Sequence, residues 1–138
     1  MNPQGTARSS GEWAMASTLD DSIDAMIREF FRAWERRDTD YIVSCFTDDA
    51  VYHNIPMEPI VGKAAIREFV ARHASRPPRR VRIHHQVVSG GVVMNERTDY
   101  ATINGREVVV PICGIFEIDD GRIKAWREYF DTGAFRPA

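Results

Sequence analysis

From Ile23 onward the apolar residues recur at helical spacing: Ile23, Met26, Ile27, Phe30, Phe31 and Trp34 make one broad stripe. A stripe that wide needs a wide partner, most simply a curved sheet. Thr18 or Asp20 is the expected cap, and Asp20, Asp21 and Asp24 suit the positive end of the helix. Arg36-Arg37-Asp38 ends it. A short second helix carries Tyr41, Ile42, Cys45 and Phe46 on one side and breaks at Thr47-Asp48-Asp49. Ala50 to Ile55 is a short strand, stopped by Pro56 and Pro59. A third helix runs from Lys63 to about His73 with Ile66, Phe69 and Val70 inward, and Ser75 to Pro78 stops it. Residues 1–17 show no period. Their Gly, Ser, Pro and Gln mark a flexible arm ahead of one domain, residues 18–138. Trp13 and Met15 are the arm's only large apolar groups, able to dock on the domain or on a partner.

After Pro78 the period changes to two. Arg79–Ser89, Val92–Ile103, Arg106–Ile118 and Arg122–Phe130 are strands, joined by Gly90-Gly91, Asn104-Gly105 and Asp119-Asp120-Gly121. Asn-Gly between alternating apolar runs is a strong short-range hairpin signal. Helices first and an antiparallel meander afterwards make an α+β domain. Helices packed on one face of a strongly curved sheet leave a cone with a mouth, and hence a pocket.

The strands carry polar groups on faces that should be buried. In Val92–Ala101, Asn95, Arg97 and Asp99 share a face with Val93, and neither face is cleanly apolar. In the last strand Glu128 lies between Trp126 and Phe130 on one side. In the short strand Tyr52 and Asn54 share a face. If these faces all point inward, the cone encloses Tyr52, Asn54, Arg97, Asp99 and Glu128. Buried charges must be paired, and one forked guanidinium can bridge two carboxylates. The trio carries a charge of −1 when all three ionise. Two carboxyls held apart by an arginine suit general acid and general base roles, with Tyr and Asn orienting a water. A buried ion network that only specifies the fold is the alternative reading of the same pattern.

Composition narrows the remaining classes. The chain has 138 residues, 43% of them apolar, with 18 basic and 20 acidic side chains and a formal charge of −2. That is one domain without the basic excess of a nucleic-acid binder. The basic run Arg76, Arg79, Arg80, Arg82 suits a solvated sheet edge that resists edge pairing. No apolar run is long enough to span a bilayer, and the first residues contain no apolar signal segment, so a cytoplasmic protein is expected. Cys45 and Cys113 sit in apolar contexts and are expected as buried free thiols. His53, His73, His84 and His85 have no zinc-ligand spacing, so no metal is expected. Phosphate-binding glycine loops and nucleophile elbows are also missing from the sequence.

The stretches FTDDAVYHNIPMEPIVG, NERTDY and GIFEIDDGRIKAWREYFD resemble the limonene-1,2-epoxide hydrolase family, within the wider nuclear-transport-factor-2-like (NTF2-like), SnoaL-like superfamily of cone-shaped domains. The resemblance runs from about Asp20 to Phe135. It implies that Tyr52, Asn54 and a carboxylate hold the attacking water, that Asp99 protonates the epoxide oxygen, and that Arg97 bridges the carboxylates. The base in the family's WRDYFD segment is aspartate, and the matching residue here is Glu128, one methylene longer. The expected pocket wall is Phe31, Trp34, Ala101, Val110, Ile112, Trp126 and Phe130, suited to a cyclic or aryl-substituted epoxide. The resemblance implies no cofactor, and a homodimer formed through the open sheet face, centred on Arg106–Glu117 and the last strand. Another enzyme on the same cone (isomerase, dehydratase or cyclase) and a non-catalytic small-molecule-binding dimeric module are the rival readings.

Overall fold

The computed structural model describes residues 7–136. Its elements are α1 (Ser10–Glu35), α2 (Thr39–Ser44), β1 (Phe46–Asn54), β2 (Ile60–Val61), α3 (Lys63–Ala74), β3 (Arg80–Ser89), β4 (Val92–Ile103), β5 (Arg106–Asp119), β6 (Arg122–Tyr129) and a closing 3-10 turn, Thr132–Phe135. The strands form one six-stranded sheet in the order β2-β1-β6-β5-β4-β3. β1 runs parallel to β6, and every other pair is antiparallel. The result is an α+β cone with a mixed sheet.

All three hairpin turns place both central residues in the left-handed region. The pairs are Gly90 and Gly91, Asn104 and Gly105, and Asp120 and Gly121. This is the turn whose twist matches that of the flanking strands, and Gly, Asn and Asp tolerate it best. The β4–β5 register follows, with Asp99 facing Val110, while bulges between Ile83 and His85 and between Glu117 and Ile118 shift the neighbouring pairs so that Val81 faces Asp99 and Gly114 faces Glu128.

The α1 stripe packs with the inner face of the sheet in one core. Phe30 sits at its centre, with edge-on ring contacts to Phe31, Trp34, Phe46, Phe116 and Trp126 at centroid separations of 5.1–6.3 Å. Ile23, Ile27, Ile42, Ile66, Val70, Val93 and Ile123 complete this core. A second cluster on β5, Val108, Val110 and Ile112, packs with Ile103, Phe130 and Ala134 toward the mouth.

Three expectations are corrected and one strand is added. The first helix starts at Ser10, so residues 10–17 of the expected arm are helical. Ser9 caps it, and Ser9 and Glu12 close a reciprocal capping box. No apolar face supports this extension: Trp13, Met15 and Leu19 are all exposed. Local capping, not burial, defines it, so a search for apolar period misses it. For residues 1–6 the arm reading lies outside the described residues. The first strand begins at Phe46 rather than Ala50, because Thr47-Asp48-Asp49 is extended and not a helix stop. Ile60–Val61, unassigned in the sequence pattern, pairs as an edge strand with Val51 and Tyr52. Cys113 is exposed on β5, whereas Cys45 is buried. Strand alternation puts Cys113 on the outer face, opposite Ile112 and Gly114.

Candidate active site

β4 turns its polar face inward. Val93, Asn95, Arg97 and Asp99 are all buried, while Met94 on the opposite face is exposed. β6 turns Trp126 and Glu128 to the same interior, and β1 brings Tyr52 and Asn54 beside them through the parallel register Tyr52–Trp126 and Asn54–Glu128. Five expected residues from three strands therefore meet at one place.

Arg97 is 2% exposed and Glu128 1%. The guanidinium donates from Nε to Asp99 Oδ1 at 3.0 Å and from Nη1 to Glu128 Oε2 at 2.8 Å, and Nη2 donates to Glu128 Oε1. Glu128 is thus held by a two-pronged fork, the geometry that makes Arg and not Lys suited to the task. The longer glutamate still reaches the bridge. The Phe31 ring lies 4.5 Å from the guanidinium carbon of Arg97, a cation–π contact that fixes the arginine from the α1 side. Arg97 Nη1 also donates to Asn95 Oδ1, whose amide donates to Gln86 Oε1, and Gln86 in turn donates to Asp24 on α1. This relay of side chains ties the buried fork to the surface pair Asp24–Arg28.

Arg79 is a site residue that the sequence pattern assigns to the solvated edge. It stands just before β3, with Nη1 3.4 Å from Asp99 Oδ2, and its guanidinium carbon lies 5.8 Å from the Trp34 ring centroid. With Arg79 included, two arginines face two carboxylates, and the charge of −1 expected for the trio is balanced.

Burial dominates the proton affinities. It pushes Glu128 up from near 4.5 to about 7, against the pull of Arg97, with the neighbouring Asp99 adding to the rise. The Tyr52 hydroxyl is pushed far above its ordinary range, first by burial and then by the Glu128 charge, so it remains a neutral donor. Tyr52 stacks on Trp126 at 4.2 Å and donates to Asn54 Oδ1 at 3.3 Å.

Two spaces open onto this cluster. The inner chamber, about 30 Å³, is walled by Phe31, Trp126, Arg97 and Glu128 among others. A polar space of that size exceeds the ~10–15 Å³ that one water requires. The outer cavity, about 370 Å³, falls within the range of small-molecule sites and is walled by Ala101, Val110, Phe130, Met57, Phe69 and His73 among others. Trp34, Tyr52, Asn54, Arg79, Asp99 and Ile112 wall both. Arg97 and Glu128 touch only the inner one. Of the seven expected wall residues, Phe31 and Trp126 therefore belong to the inner chamber, Ala101, Val110 and Phe130 to the outer cavity, and Trp34 and Ile112 to both.

Nothing in its sequence context singles out Gly114, yet it makes room for the fork. It lies between Asn95 on β4 and Glu128 on β6 in register. A Cβ there would stand 2.7 Å from Arg97 Nη1, 2.8 Å from Glu128 Oε2 and 2.9 Å from Asn95 Oδ1.

The cone-shaped α+β fold is that of the NTF2-like superfamily. Residues 22–135 match the model of the limonene-1,2-epoxide hydrolase catalytic domain, and the chain belongs to that family, which places it among the epoxide hydrolases. It is 36% identical over 106 residues to the epoxide hydrolase EphG of Mycobacterium tuberculosis (strain ATCC 25618 / H37Rv), covering 77% of this chain and 71% of that one. Among solved structures it is similar to an M. tuberculosis LEH-like epoxide hydrolase, with a TM-score of 0.77 and 33% identity over 84% of this chain and 87% of the other. SalBIII, an epoxide hydrolase/cyclase-like enzyme with a role in pyran ring formation in the polyether salinomycin, shares the fold: TM-score 0.76 and 20% identity over 83% of this chain and 94% of SalBIII.

Proposed function

We propose that the protein hydrolyses an apolar epoxide, cyclic or aryl-substituted, to a vicinal diol by direct attack of water. Glu128 is the general base and Asp99 the general acid. The observation that carries this division is the lining of the two spaces. Glu128 faces only the water-sized chamber, whereas Asp99 lies where that chamber meets the apolar cavity. A water held by Tyr52, Asn54 and Glu128 gives a proton to Glu128 as its oxygen bonds to an epoxide carbon. The C–O bond to that carbon breaks, and the departing oxygen takes the proton of Asp99. One proton moves in and one out, so the diol leaves with Asp99 ionised and Glu128 protonated. Return of the proton from Glu128 to Asp99 through water resets the site. Neither an enzyme ester nor a cofactor enters the scheme. In a single turnover in oxygen-18 water the label enters the diol; label in an enzyme carboxylate would overturn direct attack.

A second assignment has one observation in its favour: the raised proton affinity of Glu128 suits an acid. The pH profile separates the two. With Glu128 as base, kcat/KM falls as pH drops below about 7, where Glu128 takes up its proton. With Glu128 as acid, kcat/KM falls instead as pH rises above that value.

We also propose that a second copy covers the outer sheet face. Val87, Val92, Met94, Val109 and Tyr129 are exposed there, and Met94 sits beside Val87 across the β3–β4 pair. Contiguous apolar surface of this kind marks an interface. Sedimentation should give twice the 15.7 kDa chain mass; a monomer at high protein concentration would contradict it.

A further inference from the structure

The basic run after α3 divides on the fold. Arg80 points outward, with its guanidinium carbon 4.2 Å from the Tyr100 ring centroid. Arg76 and Arg79 line the outer cavity, and Arg37, from the turn between α1 and α2, joins them. Among the described residues Asp99 is the only acid in that lining, and it is already shared between Arg97 and Arg79.

Arg37 and Arg76 have no carboxylate within ion-pair distance among the described residues. The acids nearest Arg37 in sequence are engaged elsewhere. Glu35 accepts from the Val81 amide, and Asp38 caps α2 and pairs with Arg36. The other titratable groups in the wall, His73 and Tyr52, are neutral at physiological pH. Burial pushes His73 down to about 4, and one ring nitrogen bonds the Phe69 carbonyl.

The backbone of Arg37 adds an independent observation. It has a φ of +59°, at a helix end where glycine is the ordinary occupant. The other non-glycine residues with positive φ, Asn104 and Asp120, are of types that tolerate it in hairpins. Arginine there is strained, and strain of this kind collects at ligand clamps. Arg37 Nη1 donates to the Arg76 carbonyl at 3.1 Å, which ties the turn to the α3–β3 loop.

We propose that the outer cavity takes an amphipathic epoxide whose apolar body lies against Ile112, Val110 and Phe130 and whose carboxylate is held by Arg37 and Arg76. This rests on the hydrolase reading above and changes its substrate from a wholly apolar epoxide to one with an apolar body and an anionic end. Two guanidinium forks without acid partners match a carboxylate in geometry and charge. Anchoring that end leaves the epoxide ring to meet Asp99 at the floor.

The test compares a series of epoxyalkanoates with their methyl esters, in the wild type, Arg37→Gln, Arg76→Gln and the double variant. The wild type should prefer the carboxylate by about tenfold in kcat/KM at low salt. High salt should weaken that preference, and the double variant should bring the ratio close to one. Calorimetry of octanoate against octanamide reads the same rim without turnover. If neither acid nor ester is hydrolysed but octanoate binds through the arginines, the hydrolase reading fails and the anion rim stands. A wild-type ratio of one, or a preference unchanged in the double variant, overturns the rim whether or not the epoxides are hydrolysed.

Discussion

Glu128→Gln and Asp99→Asn should each lower kcat for epoxide opening by about a thousandfold while the protein stays folded. A positioned acid or base contributes roughly 10²–10⁴ in rate. Both amides keep the shape of the side chain they replace and one acceptor oxygen for Arg97; Glu128→Gln gives up one prong of the fork, so its stability has to be read beside its turnover. Stability separates lost proton transfer from collapse of a structural network. In the fold Glu128 binds its proton more tightly than in the unfolded chain, whose value is near 4.5. The stabilisation from that proton is fully present below about 4.5 and is lost as pH rises through about 7. Glutamine does not titrate, so Glu128→Gln should flatten the dependence of the urea midpoint on pH across that window. A variant that keeps wild-type turnover would make the fork a fold device and return the chain to the non-catalytic reading.

The visibility of this site in the sequence follows from geometry. Arg97 and Asp99 lie two apart in a long strand, and Trp126 and Glu128 repeat the spacing on another, so alternation alone puts each pair on one face. Three consecutive two-residue hairpins start the register, and bulges in the β3–β4 and β5–β6 pairs, which alternation does not announce, shift it by one residue and bring the faces together. Arg79 escapes this logic. It follows two prolines, ahead of the first paired residue of β3, where no period is yet defined. Its approach to Asp99 depends on the Val81–Asp99 pairing. The first turns of α1 escape for a different reason. Ser9 and Glu12 stand at capping-box spacing, but the exposed residues after them have no apolar stripe to announce a helix. The outward turn of Cys113 shows the limit of local context: its neighbours are apolar because Ile112 and Phe116 face in, not because Cys113 does.

Gly114 is the position least visible in sequence, because its contribution is an empty volume shared by side chains of two neighbouring strands. Its backbone does not use the left-handed region, so conformational freedom does not explain it. Space does. Gly114→Ala would put a methyl group under 3.0 Å from atoms of Arg97, Glu128 and Asn95. Long side chains at a surface would swing away, but these three are held by the Arg97 bonds and by packing, and none is more than 2% exposed. The fork must therefore shift. A displacement near 1 Å in a positioned reaction costs about a hundredfold. Gly114→Ala should lower kcat by that order while KM changes little, since Gly114 does not line the outer cavity. Overpacking should cost a further ~1–3 kcal/mol of stability, read as a lower urea midpoint. Combining it with Glu128→Asp withdraws one of the three crowded atoms by a methylene and should recover part of the lost kcat relative to Gly114→Ala alone. Equal kcat in Gly114→Ala and wild type would show that the fork tolerates movement, and the positioning role of Gly114 would fall with it.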